Sequence, residues 1–243
     1  LARRIAELHL ALARTTGNSA FDPEPIGSAD LERWAAAVAD ECRHTLDSLS
    51  KHREGWAQPL AKLAQRVVEA APALIKRIHR VLRSAVAGVK TRLHGDLHLG
   101  QVLVSRDDFL LIDFEGEPTR TLAERCAKHS ALRDVAGMLR SFDYARHAAL
   151  HHSAATGPDL DRLAPIARAW ERSMRAGFLQ TYGQVVVEGG LYASVADFEA
   201  AASLIDLFEL EKAFYELRYE MDNRPDWIGV PLVGIAGLAG VYE

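Results

Sequence analysis

Cysteine is scarce in this sequence, and long apolar runs are missing. Only two of the 243 residues are cysteines, Cys42 and Cys126, and they lie far apart and outside any metal-ligand spacing. Neither a disulfide nor a cysteine-based metal site is therefore expected. The longest apolar runs are interrupted by charged residues, and the first residues lack the apolar segment of a signal peptide. These absences predict a soluble, cytoplasmic protein without a membrane partner.

An excess of one charge is also missing. The sequence has 29 Lys and Arg against 33 Asp and Glu, a formal net charge of -4. Such a balance provides no general attraction to the phosphates of nucleic acid or to anionic lipid, so the expected partner is a small molecule. With 243 residues, 49% of them hydrophobic, the chain can bury a sizeable core, and we expect one helical domain.

The beginning of the sequence lacks both an initiator methionine and a helix-capping residue. Apolar residues recur at helical spacing at Leu1, Ile5, Leu8 and Leu12, so the sequence opens inside a helix. We therefore expect it to be a fragment of a longer protein.

Helical periodicity dominates most of the chain. One long helix is predicted to begin at Ser28, and a second near Pro59 that Pro72 kinks or divides. Further predictions are a polar connection over residues 120–130, a helix over 131–150, and a helix that ends near Gly183. Gly189 and Gly190 form a second predicted break, followed by a last long helix over 194–220 and a tail over 227–241.

Only one stretch is typical of β-structure. Two short apolar runs, Val102 to Val104 and Phe109 to Ile112, are separated by four turn-forming residues, Ser105 to Asp108. This pattern predicts a β-hairpin.

The hairpin lies inside the most informative stretch, Leu93 to Pro118, in which polar side chains are gathered between apolar runs. It begins Leu-His-Gly-Asp-Leu-His-Leu-Gly-Gln and ends Leu-Ile-Asp-Phe-Glu-Gly-Glu-Pro. Asp96 precedes Gln101 by five positions, and Asp113 follows at the end of the returning strand, so the three side chains can converge. Two carboxylates and an amide suit phosphoryl transfer, which requires a positioned hydroxyl group and a metal ion held against phosphates.

This stretch resembles the catalytic segment of the protein-kinase-like phosphotransferases, in the His-Gly-Asp-x-His form of the aminoglycoside and choline kinase branch. The resemblance implies a mainly α fold, the helical C-terminal lobe of such a kinase, with a small β-hairpin that carries the catalytic loop. It implies ATP and Mg²⁺ as cofactors. It also implies a role for each matching residue: Asp96 as the catalytic base, Gln101 and Asp113 as metal ligands, Glu115 as an additional metal ligand, and His94 and His98 as supports of the loop.

Two longer segments resemble the bacterial maltokinases, which are often fused to or found beside trehalose synthase. They are residues 94–144, which include Leu-Arg-Asp-Val-Ala-Gly-Met-Leu-Arg, and residues 211–232, which include Tyr-Glu-Met-Asp-Asn-Arg-Pro-Asp-Trp. The resemblance implies ATP-dependent phosphorylation of the anomeric hydroxyl of maltose to maltose 1-phosphate, for α-glucan (glycogen) biosynthesis. The implied partners are maltose and a fused or associated trehalose synthase.

The second segment predicts a sugar-binding face on a helix. Lys212, Tyr215, Glu216 and Tyr219 are spaced so that they share one face, which would offer a cation, a carboxylate and two phenols to a sugar. Asn223 and Trp227 are weaker candidates for the same site. The helix pattern alone also fits a solvated face with an ion pair between Lys212 and Glu216.

The nucleotide half of such a kinase is not recognisable in this sequence. No Gly-x-Gly-x-x-Gly and no β-rich segment precede Leu93, so residues 1–243 are expected to be the C-terminal catalytic and sugar-binding lobe, weak or inactive alone. Two alternatives remain open: a kinase of an aminosugar such as glucosamine, and a non-catalytic module that binds α-glucan or trehalose synthase. Asp134, outside the loop, is interpreted as a structural partner of a nearby arginine or backbone amide.

Overall fold

The computed structural model describes residues 1–52, 55–83, 86–152 and 158–241. The helices in chain order are α1 (Ala2–Leu12), α2 (Ser28–His52), α3 (Gln58–Glu69), α4 (Ala71–Ile78), α5 (Leu122–Cys126), α6 (Leu132–His152), α7 (Pro158–Glu188), α8 (Val195–Ala200), α9 (Ala202–Asn223) and α10 (Gly229–Ala239). The strands are β1 (Glu24–Pro25), β2 (Val89–Thr91), β3 (Val102–Ser105), β4 (Asp108–Leu111) and β5 (His129–Ser130). Among the described helices, none combines the length and the apolar character that crossing a membrane requires.

The chain divides into two compact units. Unit 1 comprises Leu1–Ile26 and Ala85–Ala202, and unit 2 comprises Gly27–Ser84 and Ser203–Glu243. The polar stretch of the sequence lies in unit 1, and the predicted sugar-binding face lies in unit 2.

In unit 1, α1 and α6 both pack against α7. Their contact is built from side chains that are completely removed from solvent, among them Ile5, Leu132, Met138, Leu139 and Val186. Burial of each such side chain contributes about 1.5–3 kcal/mol. These helices therefore form a rigid support for the loops of unit 1.

Strands β3 and β4 form an antiparallel hairpin in which Val102 pairs with Leu111 and Ser105 with Asp108. The turn consists of Arg106 and Asp107 alone, with φ of +50° and +61°. Two consecutive residues with positive φ make the kind of two-residue turn whose twist matches that of the strands. The turn is thus shorter than the four residues suggested by the sequence, because Ser105 and Asp108 join the ladder.

A second sheet corrects the prediction that the hairpin is the only β-structure. Strand β2 pairs with β1 on one side and with β5 on the other, both antiparallel. These strands have two or three residues each, too short to show a period of two in the sequence.

Residues 120–130 are not simply a polar connection, since they contain α5. Thr121 accepts a hydrogen bond from the Glu124 amide, and the Glu124 side chain accepts one from the Thr121 amide. This reciprocal capping box, Thr-x-x-Glu, is visible in the sequence and could have identified the helix.

Two glycine-based predictions of helix ends have different outcomes. Helix α7 continues through Gly183 and ends at Glu188, before Gly189 and Gly190. A Cβ on Gly183 would lie 2.5 Å from the ring of Phe198, so glycine permits close packing at this position and does not end the helix. The predicted last long helix is divided into α8 and α9 at Ala201, whose amide donates back to the Asp197 carbonyl.

Unit 2 is formed by α2, α3, α4, α9 and α10. The division of the second predicted helix at Pro72 is confirmed: Pro72 lies in the first turn of α4, where its missing N–H costs no helical hydrogen bond. The predicted tail instead forms α10, which packs on α3. Gly240 ends α10 with φ of +73°, and the amide of Val241 donates to the Ala236 carbonyl, as in a Schellman motif.

Candidate active site

The carboxylate of Asp134, near the start of α6, holds the beginning of the polar loop. Its Oδ2 accepts a hydrogen bond from the backbone amide of His94 at 2.9 Å, and its Oδ1 accepts one from Gly95 at 3.0 Å. The interpretation of Asp134 as a partner of nearby backbone amides is confirmed. Because α6 is part of the core of unit 1, these two bonds fix the backbone immediately before Asp96.

The imidazole of His94 connects this loop to the end of the hairpin. Its Nε2 lies 2.8 Å from the carbonyl oxygen of Ile112, and its Nδ1 accepts a weaker bond from the Asp96 amide at 3.4 Å. A carbonyl only accepts, so Nε2 carries the hydrogen. His94 is buried and its ring lies 4.9 Å from that of Phe114.

Two glycines permit close approaches around the loop. Gly95 has φ of +86°, and a Cβ there would lie 3.2 Å from the Cα of Gly116. A Cβ on Gly137 of α6 would lie 2.7 Å from the carbonyl oxygen of Leu97. The loop therefore lies directly on the backbone of α6.

A turn of 3-10 helix, Leu99–Gln101, closes the loop. The Nδ1 of His98 accepts from the Gly100 amide at 3.0 Å, which caps this turn, and the hydroxyl of Ser141 on α6 accepts from the Leu99 amide at 2.9 Å. Neither Ser141 nor Gly137 is identified from the sequence, because both lie in an ordinary helical pattern more than 35 positions from the loop they contact.

The two ends of the hairpin bring Gln101 and Asp113 together. The Gln101 side-chain amide donates to Oδ2 of Asp113 at 3.0 Å, and the Ile112 amide donates to the Gln101 carbonyl at 3.1 Å. Asp113 has φ of +65°, a conformation that non-glycine residues adopt at some cost and that is common at functional sites. Two of the three predicted metal ligands are thus in contact, and the third, Glu115, is exposed two residues further on.

These donors suit a magnesium ion that is shared with phosphate groups. In the described residues no three His, Cys, Asp or Glu side chains converge on a common point. Mg²⁺ is commonly held by one or two protein carboxylates together with substrate phosphates and water, so a complete cage of protein ligands is not required. The exposed Asp113 carboxylate and the adjoining Gln101 amide fit that pattern.

In unit 2, part of the predicted sugar-binding face forms a continuous column on α9. The Nζ of Lys212 lies 4.7 Å from the centre of the Tyr215 ring, and the Tyr215 and Tyr219 rings are stacked with centroids 6.4 Å apart. Glu216, between the two tyrosines in sequence, is only 8% exposed. Of the alternative interpretation, a solvated face with an ion pair between Lys212 and Glu216, the burial of Glu216 does not fit and the 43% exposure of Tyr219 does.

Arg224 extends the column beyond the end of α9. Its guanidinium lies 5.4 Å from the centre of the Tyr219 ring and 5.5 Å from that of Trp227, and it is ion-paired with the buried Glu220. Asn223 instead donates from its side chain to the Tyr219 carbonyl, where it satisfies the helix end. Arg224 and Glu220 were missed by the sequence reasoning, although Arg-Pro after a helix and an aromatic residue two positions later are visible signals.

The fold is that of solved glucosamine kinases. A structure described as glucosamine kinase in complex with glucosamine, ADP and inorganic phosphate superimposes with a TM-score of 0.75, at 22% identity, over 98% of this chain and 53% of that chain. A second crystal form of glucosamine kinase has a TM-score of 0.76, also at 22% identity, over 98% of this chain and 51% of that chain.

Two curated relatives are also glucosamine kinases. The protein of Streptacidiphilus jiangxiensis is 27% identical over 96% of this chain and 47% of its own length. That of Mycolicibacterium smegmatis is 28% identical over 96% of this chain and 51% of its own length. The chain thus spans about half the length of the curated relatives it matches.

These comparisons overturn the predicted partners. The relatives are glucosamine kinases, so maltose as the partner is wrong, and nothing supports a trehalose synthase partner. The reason for the error is that the resemblance of the His-Gly-Asp-x-His loop concerns phosphoryl transfer and does not specify the sugar, and the residues 211–232 were assigned to maltose by resemblance alone.

The phosphotransferase enzyme family matches residues 1–174, which include α1, the loop of Asp96 and the hairpin. This match covers most of the chain, and the loop geometry described above lies within it. The chain therefore belongs to the phosphotransferase enzyme family.

Proposed function

We propose that this chain forms the catalytic and acceptor-binding part of an ATP-dependent kinase of aminosugars, with glucosamine as the acceptor. The observation that carries the proposal is the similarity of 96% of the chain to two glucosamine kinases. The binding of ADP to a glucosamine kinase of the same fold supports ATP as the phosphoryl donor.

Asp96 is proposed as the base that orients the acceptor hydroxyl and accepts its proton. The loop around it is held at three places: by Asp134 at His94 and Gly95, by the His94 imidazole, and by Ser141 at Leu99. A base must keep its position relative to the attacking oxygen, because small displacements reduce the rate strongly. The hydrogen bonds of His94 and His98 support their proposed role as braces of this loop.

Gln101 and Asp113 are proposed to hold Mg²⁺, with Glu115 as an additional ligand. When bound, the ion would neutralise charge on the phosphates of the nucleotide. The residues of this chain contribute a preformed donor set, since the Gln101 amide restrains one oxygen of the Asp113 carboxylate.

The column on α9 is proposed to bind the sugar. Glucosamine differs from a neutral sugar by its ammonium group. A partly desolvated carboxylate binds this cation more strongly than it binds a neutral hydroxyl group. Glu216 supplies a carboxylate that is 8% exposed, and Tyr215, Tyr219 and Trp227 supply flat apolar surface. Lys212 and Asn223 remain proposed members of the site, although Lys212 lies over Tyr215 and Asn223 bonds to the helix end.

Residues 1–243 are proposed to be the helical lobe of the kinase, and a nucleotide-binding lobe would be contributed by sequence outside them. The relatives are about twice as long as this chain. The hairpin exposes Leu103, Val104 and Leu110 by 49%, 76% and 52%, and apolar side chains presented in this way are typical of a surface that receives a partner or a ligand. We expect the 243-residue chain alone to bind ATP weakly.

The test is phosphoryl transfer from ATP to glucosamine, maltose and glucose by the protein in which this chain naturally occurs, compared with the 243-residue chain alone. Transfer to glucosamine in preference to the neutral sugars is expected from the whole protein. Equal or faster transfer to maltose would contradict the aminosugar assignment. Full activity of the 243-residue chain would contradict the proposal that a separate nucleotide-binding lobe is required.

The base is tested with Asp96→Asn. Removal of a general base is expected to lower kcat by about 10²–10⁴. Asp107→Asn is the matched control, because Asp107 is an exposed turn residue with positive φ, which Asn tolerates. Unchanged turnover in Asp96→Asn would exclude this residue as the base.

A further inference from the structure

A buried chain of three side chains in unit 1 ends at the loop that carries Asp96. The hydroxyl of Tyr182 on α7 lies 2.8 Å from Nδ1 of His9 on α1, and Nε2 of His9 lies 3.2 Å from Oδ2 of Asp134. His9 and Tyr182 are completely buried, and Asp134 is 2% exposed. All three helices of the core of unit 1 are thus joined through polar groups.

The hydrogen bonds of Asp134 require an ionised carboxylate. It faces three donors, the amides of His94 and Gly95 and the imidazole of His9. Burial raises the pKa of Asp134, whereas the hydrogen bonds from His9 and from the two amides lower it, and the net direction is below its usual value. As an ionised carboxylate has no hydrogen to donate, Nε2 of His9 must carry one.

Tyr182 determines the other nitrogen of His9. Burial raises the pKa of the Tyr182 phenol well above its usual value, so the hydroxyl retains its hydrogen. In the described part of the chain, Nδ1 of His9 is the one group within hydrogen-bond distance of this hydroxyl. If Nδ1 also carried a hydrogen, the two donors would face each other or the hydroxyl hydrogen would be buried without an acceptor, which is costly.

We infer that Tyr182 donates to Nδ1 of His9 and thereby holds His9 as the neutral Nε2–H tautomer, which donates to Asp134. In this arrangement the hydroxyl hydrogen of Tyr182 and the Nε2 hydrogen of His9 both have an acceptor. The 3.2 Å separation of Nε2 and Oδ2 agrees with a neutral donor, since charged donors usually approach carboxylates to about 2.7–2.9 Å.

The consequence rests on the proposed function: His9 and Tyr182 are positioning residues for Asp96. They do not lie in the loop, but they fix the orientation of the Asp134 carboxylate, and that carboxylate fixes the amides of residues 94 and 95. Edge and stacking contacts of the Tyr182 ring with His9 and Phe178 hold the hydroxyl in place.

The first test is nitrogen NMR of histidine-labelled full chain, in which the His9 signals are assigned by their loss in His9→Gln. At neutral pH the spectrum should show one protonated nitrogen, Nε2, and one unprotonated nitrogen, Nδ1. In Tyr182→Phe this single-tautomer signature should be lost. Two protonated nitrogens, or a hydrogen on Nδ1 alone, in the wild-type protein would overturn the inference.

The second test is hydrogen exchange of the backbone amides of residues 94 and 95. Tyr182→Phe should accelerate their exchange about tenfold, the effect of one lost buried hydrogen bond. Tyr192→Phe is the matched control, because Tyr192 is also buried but hydrogen-bonds Ser130. His9→Gln, which can donate to Asp134 and accept from Tyr182, should remain close to wild type, whereas His9→Leu should not. Equal exchange in Tyr182→Phe and wild type would overturn the positioning role.

These readouts need neither ATP nor sugar, so their outcome is separable from that of the proposed function. A chain that phosphorylates no aminosugar can still show the tautomer and the exchange effect. In an active protein, Tyr182→Phe is expected to lower kcat with little change in KM for glucosamine, since it disturbs the loop and not the sugar-binding residues.

Discussion

Gln101 and Asp113 are twelve positions apart in sequence, yet the Gln101 side-chain amide donates to Oδ2 of Asp113 at 3.0 Å. The hairpin between them makes this contact possible, because its paired strands return the chain to its starting point. The bond places the side chains of two proposed metal ligands next to each other.

Asp113→Asn should impair the metal-dependent step. The substitution keeps the side-chain size but removes the negative charge. The new asparagine amide can also place a second N–H donor against the Gln101 amide. We expect the Mg²⁺ concentration for half-maximal phosphoryl transfer to rise at least about tenfold. A magnesium titration of the reaction measures this, with Asp107→Asn as the control; an unchanged titration would contradict a metal-binding role for Asp113.

Glu216→Gln should weaken the recognition of an aminosugar selectively. The variant retains the shape of the side chain but replaces a charge-assisted hydrogen bond by a neutral one, which is expected to raise KM for glucosamine about tenfold. KM for ATP should not change. Steady-state kinetics on the variant and on Glu32→Gln, an exposed glutamate of unit 2, makes the comparison; equal KM values for glucosamine would remove Glu216 from the site.

Gly137→Ala and Gly177→Ala should have opposite effects on stability. A Cβ on Gly137 would lie 2.7 Å from the Leu97 carbonyl oxygen, whereas one on Gly177 would meet nothing within 4 Å. Both glycines are helical, so alanine at residue 177 should stabilise by about 0.5–1 kcal/mol, while the clash at residue 137 should destabilise by about 1–3 kcal/mol. Urea unfolding of both variants tests this, and stabilisation by Gly137→Ala would show that the loop does not lie on α6.

His147 should make folding stability depend on pH between about 6.5 and 4. Burial lowers the pKa of His147 to about 4, aided by Arg146 and Arg140 and opposed by Asp143. The unfolded chain, with a histidine pKa of about 6.5, binds a proton first, so stability is full above that pH and is lost as the pH falls toward the folded value.

We expect this histidine to account for about 2–3 kcal/mol of the loss. Unfolding free energies measured at pH 7 and pH 4.5 should therefore differ less in His147→Gln than in the wild-type protein. His79→Gln, at an exposed site, is the control. If the unfolding free energy changes between pH 7 and pH 4.5 by the same amount in His147→Gln and in the wild-type protein, other groups cause the pH dependence.

The sequence alone indicated a phosphotransferase-like loop and much of the helical framework. Asp96, Gln101 and Asp113 are recognisable because their types and offsets are fixed by a short segment of chain. Pro72 divides a helix and Gly190, with φ of +80°, follows the end of α7 through local backbone effects. Local hydrogen bonds also explain α5 and the end of α10, and the corresponding Thr-x-x-Glu and glycine signals are visible in the sequence.

The tertiary structure decided which residues distant in sequence come into contact. From the sequence, Gly183 was expected to end a helix, but it packs against Phe198 inside α7. Ser141 and Gly137 have the appearance of ordinary helix positions in the sequence, but the loop lies on them. The same holds for His9, which meets Asp134 and Tyr182 only when α1, α6 and α7 pack together. Such contacts depend on the packing of whole helices, a property of the folded chain that no local spacing encodes.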